Sequence, residues 1–136
     1  MSGFTGGCHC GGIRYEVTGE PVLTRICHCE DCRRSGGSAF ATNVFVKTEQ
    51  LKVTKGTPKE FHWLADSGNK RGRAFCGDCG TTVYAWNEAR PGVRGVRIGT
   101  IDDSSSVKPS VHLWVSHALA STNLNDDLEK FEKQPP

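Results

Sequence analysis

The sequence contains no apolar run that approaches the length of a membrane span. Its opening, MSGFTGGCHCGG, has neither the basic start nor the apolar stretch of a signal peptide. Both absences predict a soluble protein of the cytoplasm, with no membrane partner, where thiols stay reduced. Apolar residues are scarce as well, at 36% of 136, while glycine occurs 16 times. A chain of this length forms one domain and buries roughly two thirds of its unfolded surface, so a core exists but is lean. Long basic segments are missing too, and the formal net charge is only +2. Were all seven cysteines ionised around two zinc ions, that charge would fall by about 3, to about −1. A near-neutral protein without a basic tail lacks the electrostatic footprint of a nucleic-acid binder.

What the chain has instead is a succession of short alternating segments. Ile13, Tyr15 and Val17 alternate with Arg14 and Glu16, the pattern of a half-buried strand. Phe40, Thr42, Val44 and Val46 repeat it, with a mixed opposite face of Ala41, Asn43 and Phe45. Leu51 with Val53, EFHWL from Glu60, TTVYAW from Thr81, VRGVRIGTI from Val93 and VHLWV from Val111 continue the series. ADSGNKRGR reads as a polar loop between two of them. Punctuation by Gly, Pro and Ser predicts a mainly β, single domain of short antiparallel strands over residues 1–120. Residues 121–136 read as a polar tail whose DDLEKFEKQPP forms either a short helix or a frayed charged end.

The cysteines fall into three clusters: CHC at Cys8 to Cys10, CHCEDC at Cys27 to Cys32, and CGDC at Cys76 to Cys79. Their odd number argues against a closed disulfide framework, and close pairs in a reducing compartment point to metal. A C-x-x-C pair followed by glycine aims two sulfurs at one ion, and Gly80 tolerates the positive φ of such a turn. Cys8 and Cys10, on a loop loosened by Gly6, Gly7, Gly11 and Gly12, are the natural complement. Cys8, Cys10, Cys76 and Cys79 are therefore expected to form a four-thiolate structural zinc site, the other reading being ordinary buried or redox pairs.

Cys27, Cys29 and Cys32 place three sulfurs on one tight loop and leave a fourth position to account for. Three protein ligands with an open position are the pattern of a catalytic zinc, which holds a water or thiol deprotonated near neutral pH. The alternatives are closure by His62, His112 or His117, and a Cys29–Cys32 redox pair. Arg33 and Arg34 follow directly, while Lys70, Arg71 and Arg73 precede Cys76. Guanidinium groups there offset thiolate charge or fork onto a carboxylate of a ligand. Arg33 and Arg34 are the candidates for that contact, plain surface charge being the alternative. Glu30 and Asp31 are proton relays or solvated acids. His9 and His28 are expected beside the ligands rather than on the metal. His112 and Trp114, two apart on one strand, would share a face and line a pocket with Trp63 or Trp86.

GxCxCGxIxY from Gly6 to Tyr15, CHCxxCRxxxG from Cys27 to Gly37, RxFCxxCGT from Arg73 to Thr81 and PxxHLWV from Pro109 to Val115 occur in that order. Together they closely resemble the glutathione-dependent formaldehyde-activating enzyme family, also called centromere protein V-like, from about Gly6 to Ser116. The resemblance implies a zinc-stapled β-tent fold. It implies structural zinc on Cys8, Cys10, Cys76 and Cys79, and a second, catalytic zinc on Cys27, Cys29 and Cys32. The implied activity is of the carbon–sulfur lyase type, joining glutathione as co-substrate to formaldehyde to give S-hydroxymethylglutathione. After HLWV the chain departs from the family, with Ala118, Leu119 and Ala120 where members commonly carry further aromatic residues. The competing classes are a zinc-stabilised binding or chaperone-like module and a thiol-redox or metal sensor.

Overall fold

The computed structural model describes residues 2–135. The chain forms strands β1 Gly3–Gly7, β2 Arg14–Thr18 and β3 Leu23–Cys27, then a short helix α1 Glu30–Gly36. It continues through β4 Ala41–Lys47, β5 Leu51–Lys55, β6 Lys59–Leu64, β7 Lys70–Phe75, β8 Thr82–Asn87 and β9 Val93–Arg97. β10 Val111–Leu113 and β11 Glu129–Lys130 complete it. Among the described residues no helix is long and apolar enough to cross a membrane.

Two sheets result, a small one ordered β1-β2-β5 and a large one ordered β11-β10-β3-β4-β9-β8-β7-β6. The core lies between them. Ile13, Tyr15 and Val17 bury the face that their alternation predicts, against Val44, Val46, Val83, Val96 and Ile101. A single mainly β domain follows, as expected. The small sheet and the segment after β9 approach so closely at the Gly6–Ile101 bridge that a Cβ on Gly6 would lie 2.3 Å from the Thr100 carbonyl oxygen. The Thr100 hydroxyl donates to the Arg97 carbonyl at 2.8 Å, so the buried Tyr15 hydroxyl donates to Thr100 Oγ1, also at 2.8 Å. Arg14 forks onto Asp102, which also accepts from Thr5 Oγ1 at 2.7 Å.

Three expectations change. β4 begins at Ala41, and Ala41, Asn43, Val44 and Val46 are all buried while Phe40 is exposed. The strand sits between β3 and β9, with α1 against its back, so both faces are covered and the alternation disappears. β10 pairs in parallel with β3 and with β11, not antiparallel. Residues 98–110 make a crossover that touches the small sheet at Thr5 and returns beside Thr24, and such a connection permits parallel pairing. The segment after residue 120 forms no helix among the described residues. Phe131 packs on the cluster of Cys27, Val111 and Leu113, and β11 covers the edge that β10 would otherwise expose.

Candidate metal centres

Two tight turns bring four sulfurs together. After β1, Cys8 N donates to the Ile13 carbonyl at 3.1 Å and Gly11 N to the Cys8 carbonyl at 3.2 Å. After β7, Cys76 N donates to Thr81 at 2.9 Å and Gly80 N to Cys76 at 2.8 Å. Gly11 and Gly80 take φ of 79° and 80°, the conformation anticipated for Gly80. The sulfurs of Cys8, Cys10, Cys76 and Cys79 all lie within 4.8 Å of one another. Cys10 is 3.6 Å from Cys8 and 3.7 Å from Cys76, sulfur to sulfur. A tetrahedral zinc with its ordinary Zn–S length has an edge of roughly 3.8 Å, so the group fits such an ion.

Backbone donors already face these sulfurs. Ile13 N reaches Cys8 Sγ at 3.2 Å, Gly12 N reaches Cys10 at 3.4 Å, and Asp78 N reaches Cys76 at 3.4 Å. Thr81 Oγ1 accepts from His9 N at 3.2 Å, which leaves its hydrogen for Cys79 Sγ at 3.3 Å. That hydroxyl, followed by backbone support, lowers the Cys79 thiol to about 5. The Gly12 N–H favours ionised Cys10, yet the three neighbouring sulfurs together push it up to about 12. Four adjacent thiols that share protons so unequally cannot all ionise without a cation among them.

The second group is built differently from the loop expected. Cys27 ends β3, Cys29 caps α1 with φ −64° and ψ 158°, and Cys32 stands in the first helical turn. Cys29 Sγ accepts from Cys32 N at 3.4 Å. The three sulfurs lie within 4.8 Å of one another, and no histidine or carboxylate among the described residues joins them. The Cys29 and Cys32 sulfurs, then burial, drive Cys27 far up. Hydrogen bonding from Cys27 favours the Cys29 thiolate, but Cys32 and burial raise Cys29 to about 11. Cys32 is held well below the thiol range, first by Cys27 and Cys29 and then, against burial, by the Arg97 guanidinium.

The histidines considered for closure are engaged elsewhere. His62 lies against Trp86 and Glu60, and His117 against Trp114. His112 Nε2 meets Asp126 Oδ2 at 2.8 Å and its Nδ1 meets His28 Nε2 at 2.9 Å, the two rings stacked at 5.1 Å. The Asp126 carboxylate takes the His112 Nε2 hydrogen, so His112 Nδ1 accepts from His28 Nε2. His28 is fully buried between Cys27 and Cys29 in the chain. Trp114 does not share a strand face with His112. It leaves the sheet at φ 58°, the sole positive-φ residue other than glycine among those described, and packs at a tilt on His117 rather than on Trp63 or Trp86.

Of the flanking arginines, Arg33 Nε donates to the His28 carbonyl at 3.4 Å, and the exposed Arg34 pairs with Glu30 at 3.4 Å. Asp31 accepts from Trp63 Nε1 at 3.1 Å. The residue that sequence reasoning missed is Arg97. Its Nη2 donates to Ser35 Oγ at 2.8 Å, and its Nε and Nη1 are buried without a protein acceptor. In VRGVRIGTI it reads as one more polar position of an alternating strand. Only pairing with Asn43 puts it on the back face of the sheet, under α1 and beside Cys32.

Over residues 3–117 the sequence matches the glutathione-dependent formaldehyde-activating enzyme family. The chain belongs to that family. One relative, an uncharacterized lyase of Schizosaccharomyces pombe, is 32% identical over 84 residues, or 62% of this chain. The chain spans 58% of that relative's length. A crystal structure of a Rhodobacter sphaeroides protein is similar with a TM-score of 0.56 at 22% identity, covering 93% of this chain and 99% of the other. At that identity the likeness concerns the fold. Within the family domain, the seven cysteines gather as two groups suited to metal, one of four and one of three.

Proposed function

We propose that this family member is a zinc-dependent enzyme of the carbon–sulfur lyase type, joining glutathione to formaldehyde as S-hydroxymethylglutathione. The observation that carries the reading is the inequality of the two cysteine groups: four sulfurs in one, three in the other with no further protein donor. Cys8, Cys10, Cys76 and Cys79 would hold a structural zinc that staples the family's β-tent. Cys27, Cys29 and Cys32 would hold a second zinc with one position left for substrate. Bound there, the ion supplies the Lewis acidity that keeps a thiol ionised near neutral pH.

The protein's own groups do the rest. The α1 cap geometry fixes Cys29 and Cys32 relative to Cys27, and Arg97 offsets the excess negative charge of three thiolates. The substrate sulfur attacks the aldehyde carbon and forms the C–S bond. The carbonyl π pair moves to oxygen, which takes a proton from solvent, and the reverse reaction breaks the same C–S bond. The family's name and the lyase relative support this class of chemistry. Seven unpaired cysteines suit a reducing, cytoplasmic setting.

Metal analysis with cobalt substitution tests the reading. Wild type is expected to carry two metals per chain and Cys29→Ser one, with the cobalt–thiolate absorption of wild type changing as glutathione is added. Two metals with a spectrum indifferent to glutathione would overturn it.

A further inference from the structure

On the back face of the large sheet, between α1 and β6–β8, lies a cleft of about 270 Å³ lined by Ser35, Phe61, Arg73, Phe75, Gly80 and Thr82. Phe45, Gly95, Ala85, Arg73 and Phe61 stand opposite one another across β4, β9, β8, β7 and β6, and of these Gly95 and Ala85 carry almost no side chain. Arg73 stands next to Phe61, which ends this row. Its guanidinium carbon is 4.7 Å from the Phe61 ring centre and 5.5 Å from that of Trp63, and these rings stack on each other at 5.8 Å.

Aromatic faces position a guanidinium without using its N–H groups. Among the described residues the Arg73 guanidinium has no ion-pair or hydrogen-bond partner. The nearby acids are committed: Asp31 to Trp63 Nε1, and Glu60 to Trp86 Nε1 at 2.8 Å and to His62. Ser35 joins the cleft to the three-cysteine group, since it donates to the Cys32 carbonyl at 3.1 Å and accepts from Arg97. Arg33 and Arg34, by contrast, each already meet a protein acceptor through Nε, the His28 carbonyl and Glu30 respectively.

We infer that Arg73, not Arg33 or Arg34, anchors a carboxylate of the substrate, and that the cleft restricts the enzyme to thiols carrying a carboxylate away from the sulfur. This rests on the reading of Cys27, Cys29 and Cys32 as the thiol-holding group. A planar fork held open by two rings gives bidentate recognition at little ordering cost, which a solvated lysine or a self-paired arginine does not.

Calorimetric titration with S-methylglutathione and with its dimethyl ester, neither bearing a free thiol, tests the anchor independently of turnover. Wild type is expected to bind the acid roughly tenfold more tightly than the ester, a charge-assisted hydrogen bond's worth of discrimination. Arg73→Gln should lose that preference, and Arg73→Lys, which keeps the charge and the ring contact and so guards against a folding artefact, should lose most of it. Arg34→Ala should bind as wild type. Equal binding of acid and ester, no binding of either, or a preference unchanged in both Arg73 variants would overturn the inference. Turnover of glutathione with formaldehyde, followed alongside, separates the two claims. Arg73-dependent binding without wild-type turnover removes the lyase reading and keeps the anchor, whereas turnover indifferent to Arg73 removes the anchor alone.

Discussion

Thr81 occupies a position where one hydroxyl decides the state of a sulfur. It accepts from the His9 backbone and gives its hydrogen to Cys79, linking the two turns of the four-cysteine group. Thr81→Val should therefore weaken metal retention by that group about 10- to 100-fold in a chelator competition, the usual cost of losing an outer partner. The two groups should also respond differently to a lost sulfur. Cys79→Ser is expected to leave the chain unfolded at 37 °C by circular dichroism, because a structural zinc contributes its binding energy to folding. Cys29→Ser should keep the fold and lose activity, and equal loss of fold in both variants would make the second group structural. At this scale the sequence is informative about ligands and silent about their supporters. Cysteine spacing gathers Cys8, Cys10, Cys76 and Cys79, but nothing in the string TTVYAW marks its first threonine as a donor to sulfur.

Elements were legible where one face is buried and the other is wet. β2 is such a strand, and the Ile13–Tyr15–Val17 period that leads into it is the period of the structure. β4 is not, because a central strand covered on both sides has no reason to alternate. α1 was missed although its signals are present: Glu30 and Asp31 in the first turn, Arg33 and Arg34 in the last, and Gly37 at φ 65° as the cap. Those acids and arginines read as adjuncts to the cysteines when they are in part helix punctuation. Close strand packing makes β7 sensitive as well. A Cβ on Gly72 would lie 2.4 Å from Trp86 Cζ2, so Gly72→Val should cost about 1–3 kcal/mol in denaturant unfolding. The link from β2 to the crossover carries a pH dependence. Arg14, then Thr5, hold the Asp102 carboxyl below its ordinary value of 3.8. A carboxyl depressed in the folded state adds stability above the unfolded value and loses it as pH falls through the folded one. Asp102→Asn should accordingly melt below wild type at pH 6, with the difference closing as pH falls below 3.8 and through the folded-state value.

Across the whole molecule, the cysteine order announced that the N-terminal loop and the middle of the chain would meet. The register that brings Arg97 under Cys32 was hidden, since it depends on which strands become neighbours rather than on any local pattern. The parallel entry of β10 was hidden for the same reason. The tail was misjudged because its polarity is real while its few apolar residues are enough: Phe131 seats on the cluster that includes Cys27. From the tail Asp126 holds His112, and His112 holds His28, which sits between two of the three cysteines. The family match ends at residue 117, short of Asp126 and Phe131. A gene trimmed to that border would keep every cysteine and lose the brace behind three of them. Portability is thus set by the tail: grafts, fusions and minimal versions of the protein need to run through at least Phe131, and attachments beyond it pull on a strand that pairs with β10, itself the neighbour of the strand ending at Cys27.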